Sequence, residues 1–184
     1  MRVISGKLKG RKIKGYDIDG TRPTMDRVKA SLFGSIQNYI EGSIVLDLFA
    51  GSGNLGIEAI SNGCSKCYFV DNNMKCIKVI KDNVNTFHIE DNSIIIYQDY
   101  LKTLTYFRDN SVKFDIIFVD PPYQYQIVNQ ILDIVREYNI LNDNGIIVLE
   151  YSKDKLEEYK AGYRLLKYKK YGDKYISIYK KIVD

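Results

Sequence analysis

The chain has 184 residues, 45% of them hydrophobic and 27% charged, which suits a single domain with a substantial core. With no apolar run of about 18 residues and no signal-peptide pattern, no membrane-spanning helix is expected, and the sequence reads as a soluble, cytoplasmic protein. One histidine argues against Ser–His or Cys–His hydrolysis, and three cysteines, an odd number, disfavour a disulfide framework.

In chain order, residues 1–15 read as a basic hairpin or extended arm, with a turn region from Gly6-Lys7 to Lys9-Gly10. Thr24 is placed to N-cap a helix running to about Ile40, with Val28, Leu32, Phe33 and Ile36 on one face. From Ser43 onward apolar strands alternate with helical segments. The first strand enters Asp47-Leu48-Phe49-Ala50-Gly51-Ser52-Gly53-Asn54-Leu55-Gly56, and a short amphipathic segment with Leu55, Ala59 and Ile60 on one side follows. Cys67-Tyr68-Phe69-Val70 ends at Asp71 and precedes a helix over 72–87, whose end or following loop holds His88. Ile94-Ile95-Ile96-Tyr97-Gln98 ends at Asp99, before a helix over 99–108. Phe114–Val119 ends at Asp120-Pro121-Pro122-Tyr123, before a helix over 125–139. A fifth strand, Gly145–Glu150, leads to a short charged helix. Two strand-like runs, Tyr163–Tyr171 and Tyr175–Lys181, then flank a Gly172-Asp173 turn. Such alternation implies an α/β, doubly wound, mostly parallel sheet with an antiparallel final pair and ligands at the carboxyl ends of its strands.

Two segments carry chemistry. Consecutive prolines at 121 and 122 fix φ and remove two backbone donors, leaving a stiff ledge of outward carbonyls. Asp120 beside it accepts hydrogen bonds and Tyr123 can stack, so the site suits a planar group bearing an NH2. Upstream, Gly51, Gly53 and Gly56 match the dinucleotide spacing, so a nicotinamide cofactor must be weighed. Against it, Asp47 lies just before the turn, suited to a cationic amine and repulsive to a pyrophosphate. Asp71 is placed to hold ribose hydroxyls, and Asp99 to accept from an adenine amino group. Cys64 and Cys67 make one C-x-x-C pair without a second, so they read as structural thiols, and no metal is expected.

These features resemble the class I S-adenosylmethionine-dependent methyltransferases, and within them the exocyclic-amino methylases. Arg2-Val3-Ile4-Ser5-Gly6-Lys7-Leu8-Lys9-Gly10-Arg11 and Arg22-Pro23-Thr24-Met25-Asp26-Arg27-Val28 resemble the bacterial small-subunit (16S) ribosomal RNA guanine-N2 methyltransferase family. The likeness covers nearly the whole chain. Departures are Lys29-Ala30 where Arg-Glu is expected, Asp71 for the usual Glu, and Asn54 for the commoner Ala. The resemblance implies a seven-stranded Rossmann-like sheet and S-adenosylmethionine as methyl donor. Its cofactor site would comprise Asp47, Phe49, Ala50, Gly51, Ser52, Gly53, Asp71, Asn72, Asp99 and Tyr100, and its catalytic loop Asp120, Pro121, Pro122 and Tyr123. Residues 1–42 would form a basic hairpin and helix packed on a catalytic domain of residues 43–184.

Charge is unevenly spread. Residues 1–29 carry +6, residues 30–152 carry −7 and residues 153–184 carry +5. An acidic middle with basic flanks is the layout of a catalytic core that meets a polyanion at its ends. Arg2, Lys7, Lys9, Arg11, Arg22 and Arg27 are the candidate RNA contacts. The expected partner is the small ribosomal subunit or an assembly intermediate, met by a monomer. Alternatives are an amino-methylase of DNA or another RNA, a catalytically decayed RNA-binding scaffold, and an NAD-dependent oxidoreductase.

Overall fold

Alternation along the central strands sets the architecture. In β4 (Phe114–Val119) and β5 (Leu141–Ser152), Ile116, Phe118, Ile146 and Val148 enter one core, while Ile117, Val119, Ile147 and Leu149 enter another. β1 (Ile44–Asp47) divides Val45 and Leu46 in the same way. Strands apolar on both faces require cover on both. Helices α1 (Arg22–Ile40), α2 (Asn54–Ser61) and α3 (Met74–Phe87) cover the first face with Phe33, Ile36, Ile57, Ile60, Ile80 and Val84. The second face is covered by α4 (Tyr100–Asp109) and α5 (Tyr125–Glu137), through Leu104, Phe107, Val128, Leu132 and Val135.

The computed structural model describes residues 1–15, 22–122, 125–152, 159–160 and 162–183. With β2 (Lys66–Asp71), β3 (Ser93–Tyr97), β6 (Tyr159–Lys160), β7 (Tyr163–Tyr171) and β8 (Lys174–Lys181), the sheet runs β3-β2-β1-β4-β5-β8-β7-β6. Neighbours from β3 to β5 are parallel, and those from β5 to β6 antiparallel. The chain leaves β1 first toward β2 and later returns to β4 on its other side, so the switch point lies between β1 and β4. The doubly wound sheet and the β7–β8 hairpin match the sequence reading. The seven expected strands are joined by an eighth, the two-residue β6, paired with the start of β7. β5 starts earlier than Gly145, because Leu141 already pairs with Phe114 before a register shift. α1 begins at Arg22, so Thr24 lies inside the helix rather than capping it, and Pro23 falls in the first turn, where no amide partner is needed. The charged helix expected after the fifth strand lies outside the described residues.

The N-terminal arm is a hairpin closed by an Arg2–Lys12 bridge around a 3₁₀ turn at Gly6–Leu8. Val3, Leu8 and Ile13 anchor it in the same core as α1. Its backbone is also held by a buried carboxylate. Glu58 of α2 accepts from the amides of Ile4 and Ser5 and from the Ser5 hydroxyl. Lys29 of α1 pairs with Glu58 at 2.8 Å, and donates to the Arg2 carbonyl and to Asn54 Oδ1. Burial pulls the Lys29 ammonium below its usual range, against the opposing pull of Glu58. Two departures from the expected family pattern, Lys29 and Asn54, are therefore bonded to each other at 2.7 Å. His88 closes α3 as its C-cap in the left-handed region, φ 55°, a helix-end position as read from the sequence.

Candidate active site

The glycine turn is built around Asp47. This carboxylate, at the carboxyl end of β1, is 2% exposed and accepts from the Gly56 amide at 3.0 Å. It thereby occupies the first turn of α2, the place where a dinucleotide fold would bind pyrophosphate, so the NAD reading loses its phosphate site. A Cβ on Gly56 would sit 2.3 Å from a Phe69 ring carbon and 2.7 Å from the Cys67 sulfur, so that helix–strand approach requires glycine. Gly51, at φ 56°, has open space where a Cβ would point, and its amide donates to Asp71 Oδ2 at 2.9 Å. Asp71 Oδ1 accepts from the Asn73 amide, so one carboxylate at the end of β2 ties the glycine turn to the start of α3.

A cleft of about 670 Å³ opens at these strand ends, lined by Phe49, Gly51, Asp71, Asn72, Gln98, Tyr100 and the Asp120-Pro121-Pro122 ledge, among others. A smaller adjoining hollow of about 260 Å³ shares Phe49, Gly51 and Asp120 with it and adds Asp47, Ala50 and Ser52. The β1–β4 register places Asp47 opposite Phe118, so Asp120 emerges beside the glycine turn, as the topology implied. Phe49 and Tyr100 stand 5.4 Å apart, ring to ring, on the cleft wall. Two residues have other places. Gly53 is the N-cap of α2 and is buried beneath the turn. Asp99 is the N-cap of α4, its Oδ1 accepting from Leu101 and Lys102, while its neighbour Gln98 faces the cleft. Tyr123 lies outside the described residues.

Burial perturbs the two carboxylates at the ends of β1 and β4 in the same direction. Burial raises Asp47 to about 7, opposed by the Gly56 amide. Burial likewise raises Asp120 to about 7, with Glu150 adding to the rise and Lys174 countering it. Glu150 and Lys174 line the same cleft and form an ion pair with each other. Nothing in the sequence singled them out, because each reads as an ordinary charge at a strand end. Away from the cleft, the thiols of Cys64 and Cys67 are buried, with Cys64 pushed up to about 12 by burial, so the reactive thiolate is disfavoured.

At the basic end, Met1 lines both the inner hollow and a groove of about 630 Å³ that contains Arg2, Lys12 and Arg27. Arg2 also pairs with Asp26 at 2.9 Å. Lys7 and Lys9 are exposed on the arm. Arg11 is engaged within the fold: it donates to the Thr86 carbonyl at 2.6 Å and lies over the Phe87 ring at 4.6 Å, closing the end of α3. The side chain of Arg22 lies outside the described part.

A family model described as conserved hypothetical protein 95 matches residues 1–180. The chain belongs to the conserved hypothetical protein 95 family. It is 40% identical over 182 residues to YlbH of Bacillus subtilis, covering 98% of this chain and 99% of that one. A Haemophilus influenzae relative named ribosomal RNA small subunit methyltransferase D is 36% identical over 173 residues, 94% of this chain and 89% of its own. The solved structure of yhhF from Escherichia coli superposes with a TM-score of 0.86 at 25% identity, covering 100% of this chain and 99% of that one.

Family and fold agree with the sequence reading of a class I methyltransferase. In this family member the glycine turn, Asp47, Asp71 and the proline ledge line the cleft and its adjoining hollow, whereas Asp99 and Arg11 have structural partners. Spacing could have revealed Asp99, since a strand-end Asp followed by a helix is an N-cap signature. No local pattern marks Arg11, whose partners are 75 and 76 residues away.

Proposed function

We propose that this chain transfers a methyl group from S-adenosylmethionine to the exocyclic N2 amino group of a guanine in small-subunit ribosomal RNA. The observation that carries the reading is the continuity of the cleft: Asp47 and the glycine turn on one side, Asp120 and the Pro121-Pro122 ledge on the other. The residues present fit the donor. Asp47 suits its ammonium, Asp71 its ribose hydroxyls, and the open face at Gly51 leaves room for close approach. Phe49 and Tyr100 can flank the adenine ring, with Asn72 and Gln98 at its polar edge. When bound, this cofactor supplies a methyl group already activated by the positive sulfur.

The chain's own work is alignment and hydrogen bonding. An exocyclic amine is a weak nucleophile, because its lone pair is delocalised into the ring. Asp120 and the Pro121 carbonyl accept from its two N–H groups, turning the lone pair toward the methyl and stabilising positive charge as it grows on nitrogen. Two prolines in succession keep the acceptors from rearranging. Tyr123 stacks on the base in this account. A base must be unpaired or flipped outward to enter, which favours a nucleotide that the subunit presents. The groove at Arg2, Lys12 and Arg27 meets the hollow at Met1, so phosphates held there would lead the strand to the ledge.

The choice of small-subunit RNA follows the name of the 36% identical relative, and the choice of guanine follows only the two N-terminal stretches that resemble the guanine-N2 family. Residues 1–42 serve as the RNA-facing part and residues 43–184 as the catalytic part, in a monomeric cytoplasmic enzyme. Asp120→Ala tests the reading: methyl transfer to the subunit should be lost while cofactor affinity, measured by calorimetry, is retained. Full activity in that variant would contradict the amine clamp.

A further inference from the structure

β5 runs beside β4 with Leu149 opposite Val119, so Asp120, just past the end of β4, lies beside Glu150 at the same end of the sheet. The next strand, β8, begins at Lys174, whose ammonium pairs with the Glu150 carboxylate. Along the sheet edge the order is thus Asp120, Glu150, Lys174, one from each of three adjacent strands, and all three line the cleft. The Glu150 side chain is 17% exposed and that of Lys174 56%, so the pair stands at the mouth of the cleft rather than in the core. A pair with one side in water contributes little to stability. A carboxylate here also opposes ionisation of Asp120, an awkward neighbour for a hydrogen-bond acceptor unless it has a task of its own.

Its chemistry suggests the task. Glu150 offers only acceptors, and Lys174 only donors. Guanine presents along its pairing edge the 2-amino group, then the N1–H donor, then the O6 acceptor. Adenine and cytosine place a bare ring nitrogen, an acceptor, beside their amino groups, which would face Glu150 acceptor to acceptor.

We propose that Glu150 and Lys174 read the base: with the amino group held at Asp120 and Pro121, Glu150 accepts from N1–H and Lys174 donates to O6. This rests on the guanine-N2 reading and adds the residues that would make the site select guanine. Reading a flipped base along its pairing edge is a recurrent solution for enzymes that modify bases.

The test is single-turnover methyl transfer to reconstituted small-subunit particles carrying guanine or 2-aminopurine at the modified position. 2-Aminopurine keeps the amino group but has a bare N1 and no O6. The wild-type chain should prefer guanine by on the order of 10- to 100-fold. Glu150→Met with Lys174→Met should abolish that preference by slowing the guanine reaction alone, with cofactor affinity unchanged. Glu150→Lys with Lys174→Glu retains an ion pair but reverses donor and acceptor, and should abolish it too. Preference surviving in the first variant, preference restored by the reversal, or equal loss on both bases would each overturn the proposal. A wild-type product that contains no N2-methylguanosine would instead overturn the guanine reading, and the pair's role with it.

Discussion

Asp47 and Asp120 are two carboxylates held near 7 on the wall of one hollow, and each performs its proposed role only when charged. Because burial raises both, the ligand-free protein binds protons at these sites as pH falls through about 7, and their charge is lost below it. Pairing with an ammonium draws Asp47 back toward its ionised form. Cofactor affinity should therefore fall by about tenfold per pH unit below 7, and binding near pH 6.5 should release protons. Calorimetry in buffers of different ionisation heat measures that release, and affinity unchanged between pH 6 and 8 would contradict it. Asp47→Asn should weaken cofactor binding without unfolding the chain, since an amide oxygen can still accept from Gly56. Asp120 and its prolines stood out in the sequence only beside the upstream glycine turn, because Asp-Pro-Pro alone reads as an ordinary strand-ending turn. Glu150 and Lys174 were not legible, because what brings them beside Asp120 is the β4-β5-β8 strand order, which no local spacing displays.

At the scale of elements, the glycine turn and the strands were readable because apolar runs and Gly spacing are local signals. The attachment of the N-terminal arm was not, because it depends on Glu58 meeting the backbone 53 and 54 residues earlier. No local spacing marks Glu58 on its short helix, yet it is 0% exposed. Lys29→Ala would leave that carboxylate buried and unpaired and should cost about 3–5 kcal/mol in chemical denaturation. A loss below about 1 kcal/mol would place the pair among weak surface bridges instead. Arg11 belongs at this scale as well. Its bonds to the last carbonyls of α3 and its place over Phe87 predict that Arg11→Ala lowers stability by about 1 kcal/mol, read as a shift in the thermal midpoint. Loss of RNA binding without loss of stability would return Arg11 to the RNA surface.

For the whole molecule, the question is how a chain with an acidic middle approaches a polyanion. The Arg2–Lys12–Arg27 groove meets the inner hollow at Met1, while several C-terminal lysines bond within the fold, Lys181 to Asp143 and the Leu141 carbonyl among them. The N-terminal end is therefore expected to carry most of the salt dependence. Replacing Arg2, Lys12 and Arg27 by Gln should reduce the slope of log affinity against log salt by roughly 2. Replacing Lys169 and Lys170 should alter it less, and the reverse ranking in filter binding would move the RNA path to the C-terminal sheet.

The most direct measurement is transfer of labelled methyl from S-adenosylmethionine to purified small ribosomal subunits lacking their guanine-N2 methylation, with the RNA digested and its nucleosides identified by mass spectrometry. The account predicts N2-methylguanosine in the small-subunit RNA, and none with Asp120→Ala. Label on an adenine or cytosine amino group, or no transfer by protein that binds the cofactor, would contradict it.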